Sequence, residues 1–243
     1  MRFDKNDKVK LKGLLISSFL IILAVASFFL LYHYYLSPSS RTRKVVEFIL
    51  NPDESSKPQF EALSRCGDAP FVMPTSGMVG FIWGDSFRIG HHHTGIDIFA
   101  GTDAGLTPVY VAYDGYLTRM PDWKSSLIIR IPEDPLQPDR QIWTYYTHLA
   151  DVDGNSLIDA AFPVGTEEIF VPAGTFLGFQ GNYSGTAGNP TGVHLHFSIV
   201  LDDGEGQFLN ELEIKNTLDP SPYFNLTLNQ EDNSGDIPTC QAP

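Results

Sequence analysis

The sequence predicts a mainly β domain, an antiparallel sandwich or barrel-like sheet, that is preceded by one N-terminal transmembrane helix. The helix is indicated by an uncharged and largely apolar stretch at residues 13–36. The β domain is indicated by the chain after residue 70, where short apolar runs are separated by Gly, Pro, Asn and Asp and no long helical period occurs. Many short strands at close spacing are typical of sandwiches and barrels.

The N-terminal segment has the pattern of a membrane anchor. Residues 1–12 are polar and net basic, and the stretch that follows exceeds the roughly 20 apolar residues that span a bilayer as a helix. Basic residues before the stretch favour a cytoplasmic N-terminus, so we expect a single-pass cell-membrane protein whose remaining chain is extracytoplasmic. A cleaved signal peptide is the alternative, because residues 24–26 read Ala-Val-Ala. The apolar run continues to residue 31, which is unlike the start of a mature chain and favours an uncleaved anchor.

The rest of the chain divides by composition into a linker, a folded domain and a tail. Residues 37–69 are interpreted as a stalk, since turn-forming residues dominate positions 51–58. Residues 70–224 form the predicted domain, and residues 225–243 a polar tail. Cys66 and Cys240 lie near the two ends of the domain. Because domain termini are often close together, a disulfide between them is expected in an oxidising compartment, with two free thiols as the alternative.

The overall charge excludes one class of partner. The chain has 243 residues, a hydrophobic content of 42% and a formal net charge of −13 with a pI near 4.8. Nucleic-acid binding requires a basic patch, so nucleic acid is not expected as a partner. The composition is sufficient for a hydrophobic core, but it gives no indication of the oligomeric state.

Seven strands are predicted in the domain from β-propensity and from alternation of apolar and polar residues. They lie at residues 79–83, 96–99, 109–113, 126–131, 142–148, 175–179 and 193–200. Residues 210–217 are predicted to form at most a short helix or loop. In the last strand Val193, Leu195, Phe197 and Ile199 share one face, and His194, His196 and Ser198 share the other.

The polar face of that last strand predicts a metal site. Residues two apart on one face lie roughly 7 Å apart at Cα, so His194 and His196 can approach one small object from the same side. They are too close on one face for both to bind a metal easily and leave a position open for water. One of them is therefore better placed to hydrogen-bond that water or a developing oxyanion.

Two further stretches supply the remaining groups. The run His91-His92-His93-Thr94-Gly95-Ile96-Asp97 places His93 and Asp97 on one strand face, but about 13 Å apart in an ideal strand. A bend at Gly95 is therefore predicted, and its missing side chain is expected to leave room for a cation. His91 and His92 are regarded as flanking residues. His148 is the last residue of the predicted strand at residues 142–148. Considered without the other motifs, it would be interpreted as a structural histidine.

Together these stretches offer imidazoles and one carboxylate, but no Cys pair at metal-binding spacing. Three protein ligands plus a water are typical of a catalytic zinc, whereas a structural zinc closes its fourth position with protein. A zinc ion with two imidazoles and one carboxylate keeps a net positive charge and activates its water near neutral pH. The sequence thus predicts Zn²⁺ as cofactor.

The motifs His93-x-Gly-x-Asp97, Tyr146-Thr147-His148-Leu149 and His194-Leu195-His196-Phe197 resemble the signatures of the lysostaphin-like (LytM-type) zinc metallopeptidases, and the resemblance covers roughly residues 70–224. It implies a β-rich fold with a groove and cleavage of peptide bonds in the cross-links or stem peptides of bacterial peptidoglycan. It further implies that His93, Asp97 and His196 hold the zinc, while His148 and His194 are the catalytic pair that does not bind it.

The predicted function is therefore a membrane-anchored zinc endopeptidase that uses a zinc-activated water on peptidoglycan peptides. One of His148 and His194 would act as general base, and the other would stabilise negative charge or protonate the leaving amine. The sequence does not decide between these assignments. Two alternatives remain: a non-catalytic module of the same fold that binds cell wall or activates another hydrolase, and a zinc peptidase that acts on another protein.

Overall fold

A large antiparallel sheet organises the domain. The computed structural model describes residues 5–31, 40–52, 59–85, 90–233 and 235–240. Within these residues a sheet of nine strands has the order β1-β2-β10-β6-β5-β4-β7, with β9 and β11 also paired to β10, and β3 and β8 form a separate ribbon. The mainly antiparallel β fold that the sequence predicts is thereby confirmed.

The helices are α1 (Lys5–Leu31), α2 (Ser40–Leu50) and α3 (Ser221–Phe224), and a 3₁₀ turn occupies Ile214–Asn216. The strands are β1 (Met78–Val79), β2 (Ile96–Phe99), β3 (Pro108–Tyr110), β4 (Gly115–Thr118), β5 (Leu127–Ile131), β6 (Ile142–Thr147), β7 (Ile169–Val171), β8 (Phe176–Phe179), β9 (Gly181–Tyr183), β10 (Pro190–Leu201) and β11 (Thr217–Leu218).

The N-terminal helix α1 forms one unit of the chain, and residues 39–243 form the other. The anchor predicted at residues 13–36 is helical as far as Leu31, and its last residues lie outside the described part. Among the described residues, no helix has the length and apolar character that a bilayer crossing requires. The transmembrane part of the fold prediction is therefore not supported by the structure.

The segment interpreted as a stalk contains α2, which packs onto the β domain. Val45 and Phe48 are buried in a small apolar cluster with Met78 and Phe99, while Val46 on the opposite side is exposed. This one-sided burial follows the helical period, in which residues three apart share a face. The helix is thus an integral part of the folded unit that carries the sheet.

The main core covers the apolar face of the sheet. Leu195, Phe197 and Ile199 of β10 are fully buried in it, as the alternating pattern of that strand predicts. His194 and His196 consequently face the other side of the sheet. The core therefore fixes which side of β10 carries the polar groups, because a register slip of one residue would exchange the two faces.

The C-terminal segment closes the domain. Cys66 and Cys240 form a disulfide with a Cα–Cα distance of 5.3 Å, which confirms the predicted bridge. Residues of the predicted tail also join the fold, since the Trp83 N–H donates to the Leu228 carbonyl and the Gln230 N–H donates to the Trp83 carbonyl, each at 2.9 Å. The tail therefore packs on the domain well before the disulfide is reached.

Candidate metal centre

Strand β10 lies between β2 and β6, and this order brings the three sequence motifs together. In the register of the sheet His196 is opposite Asp97 of β2 on one side and opposite Thr147 of β6 on the other. His148 follows Thr147 directly. Motifs that are about 50 residues apart in the sequence therefore meet on the polar face of three adjacent strands.

Three donor atoms converge at this point. Nε2 of His93 lies 2.9 Å from Oδ1 of Asp97 and 3.0 Å from Nδ1 of His196. Nδ1 of His196 lies 2.8 Å from the same carboxylate oxygen. Among the described residues these three form the group of His, Cys, Asp or Glu side chains that can hold a metal ion, and all three are buried.

Backbone carbonyls fix the proton on three of the four histidines in the site. Nδ1 of His93 contacts the Ile82 carbonyl at 3.1 Å, that of His148 the Tyr183 carbonyl at 2.7 Å, and that of His194 the Gly192 carbonyl at 3.0 Å. A carbonyl oxygen can only accept, so each Nδ1 must carry the hydrogen. In each neutral ring the unprotonated nitrogen is therefore Nε2.

The pair His148 and His194 lies beside the three converging donors. Their ring centroids are 4.5 Å apart, and Nε2 of His194 lies 3.7 Å from Oδ1 of Asp97. His194 also stacks on Phe99 with a centroid distance of 4.8 Å. His148 adopts a left-handed φ of 71° just after β6 ends, a conformation that is uncommon for residues other than glycine. It therefore does not continue the strand, although the sequence predicted that it would.

The bend predicted at Gly95 is present, but the missing side chain of Gly95 has a different role from the predicted one. Gly95 precedes β2, which begins at Ile96, and a Cβ at Gly95 would lie 2.1 Å from the Phe197 carbonyl oxygen and 2.8 Å from Cβ of Ser198. The missing side chain therefore permits close packing against β10. It does not provide space for a cation, because its open side faces the neighbouring strand.

The chemistry of the three donors fits a divalent cation. Nε2 of His93 has no hydrogen in the neutral ring, yet it faces an oxygen of the Asp97 carboxylate at 2.9 Å. Two acceptors at this distance repel unless a proton or a metal ion lies between them. An ideal tetrahedral zinc site, with bonds of about 2.0–2.1 Å, separates its ligand atoms by about 3.3 Å. The observed triangle is only slightly smaller, so small side-chain movements suffice to admit the ion.

Burial and the Asp97 carboxylate set the charge states of the cluster. Burial opposes the charged form of His93, but the nearby carboxylate outweighs this effect and raises the pKa of His93. Burial also opposes the charged form of Asp97, yet the surrounding imidazoles hold the pKa of Asp97 well below its ordinary value. Burial lowers the pKa of His148 and His196, and it lowers the pKa of His194 to about 3.

The donors open into a groove of about 650 Å³. Beside the five site residues its walls include Phe81, Tyr145, Tyr183, Thr191, Glu211 and Leu212. Hydroxyl groups are linked along one wall, where Tyr145 donates to Ser126 at 2.9 Å and the Ser126 and Thr147 hydroxyls lie 2.7 Å apart. Apolar walls with a few oriented polar groups are typical of ligand sites.

The sequence identified the five side chains, but not the backbone groups that orient them. Gly192 has a local signal, because a glycine two residues before His194 allows the positive φ of 87° that occurs in the irregular first part of β10. The Ile82 and Tyr183 carbonyls leave no such signal, since they lie 11 and 35 residues from their histidines and reach them only in the folded domain.

Solved structures that are similar to this chain are LytM-type and M23 peptidases. A candidate glycyl-glycine endopeptidase, LytM, of Ruminococcus gnavus is 25% identical with a TM-score of 0.36, over 53% of this chain and 44% of that one. Lysostaphin is 23% identical with a TM-score of 0.40, over 68% and 56%. A mutant catalytic domain of the prophage-encoded M23 protein EnpA of Enterococcus faecalis is 22% identical with a TM-score of 0.36, over 61% and 95%.

The chain thus spans about half the length of the first two of these proteins. No family model and no curated protein matches the sequence.

Proposed function

We propose that this chain is a zinc endopeptidase of the LytM type that hydrolyses peptide bonds in the cross-links or stem peptides of cell-wall peptidoglycan. One observation carries the proposal. Nε2 of His93, Oδ1 of Asp97 and Nδ1 of His196 converge within 3.0 Å of one another, and the three residues line an open groove. His93, Asp97 and His196 would hold the zinc ion. His148 and His194 lie beside them with nitrogen atoms free to take up a proton.

When bound, zinc would supply an activated water at neutral pH and polarise the scissile carbonyl. The remaining steps belong to the chain's own residues. Nε2 of His148 or His194 accepts the proton of the attacking water, since both rings have their hydrogen on Nδ1. That imidazolium returns the proton to the leaving amine, and the second histidine of the pair stabilises the developing negative charge, so both histidines are required.

The location of the domain is also a proposal. A disulfide between Cys66 and Cys240 favours a compartment outside the cytoplasm, where such bonds persist. This placement agrees with a substrate in the cell wall. The membrane anchor at residues 13–36 stays a prediction from the sequence.

Two other functions are compatible with the fold. A non-catalytic module that binds cell wall or activates another hydrolase would not need the complete set of five residues. All five are present and oriented here, which favours an enzyme. A zinc peptidase that acts on another protein would use the same chemistry and differ in the substrate that its groove accepts.

The test is release of muropeptides from purified cell wall by the full chain, with zinc content measured in parallel. We expect wall cleavage with one zinc per chain. His148→Ala should keep zinc and lose activity by roughly 10²–10⁴-fold, the usual contribution of a general acid or base. His196→Ala should lose both. His92→Ala is the matched control and should keep one zinc per chain, because the exposed His92 lines the groove but is not one of the three donors.

Full activity of His148→Ala or His196→Ala would contradict the assignment. Wild-type protein that binds zinc but releases no muropeptide would support one of the two other functions, and incubation with surface proteins would then distinguish between them.

A further inference from the structure

A buried arginine outside the candidate metal centre is connected to it through the backbone. Arg41 of α2 is only 2% exposed. Its Nε lies 2.9 Å from Oδ2 of Asp85, and its terminal nitrogens donate to the carbonyl and side-chain oxygens of Asn233 at 3.0 and 2.9 Å and to the Asp236 carbonyl. None of the proposed chemical steps uses this residue.

The carboxylate of Asp85 connects Arg41 to His93, one of the proposed metal ligands, through the backbone of Ile82. Its Oδ2 accepts the Ile82 N–H at 2.9 Å, and the Ile82 carbonyl accepts Nδ1–H of His93 at 3.1 Å. The backbone adds two further contacts, since the His93 N–H donates to the Asp85 carbonyl at 2.7 Å and the Gly84 N–H donates to the His93 carbonyl at 2.8 Å. The turn at residues 82–85 therefore holds His93 by its ring and by its main chain.

We propose that Arg41 is a positioning residue for the metal centre. By holding Asp85, it fixes the Ile82 carbonyl that sets the tautomer and the orientation of the His93 ring, so that α2 contributes to zinc affinity. The inference rests on the proposed role of His93 as a zinc ligand. Groups that orient metal-binding histidines typically change metal affinity by roughly 10–100-fold when they are removed.

Stability alone does not explain why Arg41 and Asp85 form a buried ion pair. Replacing a buried ion pair by apolar residues of similar volume is often neutral for stability, whereas removing one partner leaves an uncompensated charge and is strongly destabilising. A role in orienting the His93 ring explains the presence of the Arg41 guanidinium and the Asp85 carboxylate at this position. It also predicts that zinc affinity and fold stability respond differently to the same set of variants.

Zinc affinity of the full chain, measured by competition with a chromophoric chelator, tests the proposal. We expect Arg41→Met to weaken zinc binding about tenfold relative to wild type. The double variant Arg41→Met/Asp85→Leu removes both charges, so its thermal stability should recover relative to Arg41→Met while its zinc affinity remains weakened.

Lys44→Met is the matched control. Lys44 lies on the same helix and donates to the Gly235 carbonyl at 2.8 Å, so it joins α2 to the C-terminal segment without contacting Asp85. Its zinc affinity should equal that of wild type within twofold.

Zinc affinity that is unchanged in folded Arg41→Met, or in the double variant if Arg41→Met does not fold, would overturn the proposal and leave the function intact. Restored zinc affinity in the double variant would also overturn it, because Arg41 would then act only through stability. Wild-type protein that binds no zinc would instead overturn the proposed function, and this inference with it.

Discussion

At the scale of single residues, the site depends on which ring nitrogen of each histidine carries the proton. Three carbonyl oxygens, from Ile82, Tyr183 and Gly192, fix that choice for three rings. In the neutral ring, Nε2 of His93 is thereby directed at Asp97 and His196, where a proton or a metal ion must lie between the acceptors. Nε2 of His194 faces the same region at 3.7 Å from Oδ1 of Asp97, and the proposed function places the proton acceptor there. The same arrangement, a backbone carbonyl that accepts Nδ1–H, thus orients both the proposed metal ligand His93 and the proposed catalytic pair.

The proposed hydrolysis should depend on pH through the buried histidine pair. Burial lowers the pKa of His194 to about 3 and lowers the pKa of His148, against an ordinary value of about 6.5. A lowered pKa keeps each ring neutral as the pH falls below 6.5, and the proton-accepting form is lost only near the lowered value. We therefore expect the acidic limb of kcat/KM, measured with saturating zinc, to have its midpoint below pH 6.5. A midpoint above pH 6.5 would contradict this account.

At the scale of elements, the pairing of β2 with β10 sets the distance between Asp97 and His196. The two residues are directly opposite in the register, so any displacement of β2 separates the carboxylate from the imidazole. The close approach at Gly95 shows how tightly the start of β2 lies against β10. The helix α2 stabilises the outer side of the same region through Phe48, which packs with Phe99 of β2.

Gly95→Ala should displace the start of β2. The new Cβ would meet the Phe197 carbonyl oxygen at 2.1 Å, and overpacking of this kind costs about 1–3 kcal/mol. We expect a loss of that size in the free energy of unfolding, measured in urea, and weaker zinc binding.

Gly165→Ala is the control, since no atom lies within 4 Å of its Cβ position and it is strained only by its φ of 82°. It should keep wild-type zinc affinity. Equal zinc affinity in Gly95→Ala and Gly165→Ala would show that the β2 contact does not position Asp97.

Phe48→Ala should destabilise the whole domain. Phe48 is fully buried, and truncation of a buried phenylalanine typically costs about 3–5 kcal/mol. Val46→Ala on the exposed side of the same helix should change the free energy of unfolding by no more than about 0.5 kcal/mol. Denaturant unfolding of both variants checks this prediction. If the free energy of unfolding falls as little in Phe48→Ala as in Val46→Ala, α2 is not part of the cooperative unit.

At the scale of the whole molecule, local pattern predicted the sheet better than it predicted the ends of the chain. Strand β2 has the predicted bounds, and β10 keeps the predicted faces because its apolar residues strictly alternate. Strands β4, β7, β9 and β11 were not predicted, since all four are short and the first three contain Gly or exposed apolar residues that lack alternation. The five site residues were predicted because their three motifs resemble those of a known peptidase family, whereas His148 on its own gave no signal beyond that of a structural histidine.

The remaining features depend on contacts between distant parts of the chain. The packing of α2, which was interpreted as part of a stalk, depends on a cluster that includes residues about 30 and 50 positions away. Arg41 reaches Asn233, which is 192 residues away. Neither contact leaves a pattern in the local sequence, because a buried arginine and a surface arginine look the same in a linear chain.

The disulfide should contribute to the stability of the whole domain. It joins residues with a sequence separation of 174, and native disulfides typically contribute about 2–4 kcal/mol by restricting the unfolded chain. We expect a reductant to lower the free energy of unfolding by an amount in this range. The double variant Cys66→Ser/Cys240→Ser should show the lower stability with or without reductant. A wild-type protein that is insensitive to a reductant would contradict the prediction once thiol titration has shown that the bond is reduced.

The most direct test of the account is X-ray absorption at the zinc edge, with zinc stoichiometry measured on the same sample of the full chain. We predict one zinc per chain, with two imidazole nitrogens and a carboxylate oxygen at about 2.0–2.2 Å. In Asp97→Asn the occupancy should fall, since the charged ligand is lost. Failure to bind zinc, or a zinc ion bound by three or four imidazoles, would contradict the assignment of His93, Asp97 and His196 as the ligands.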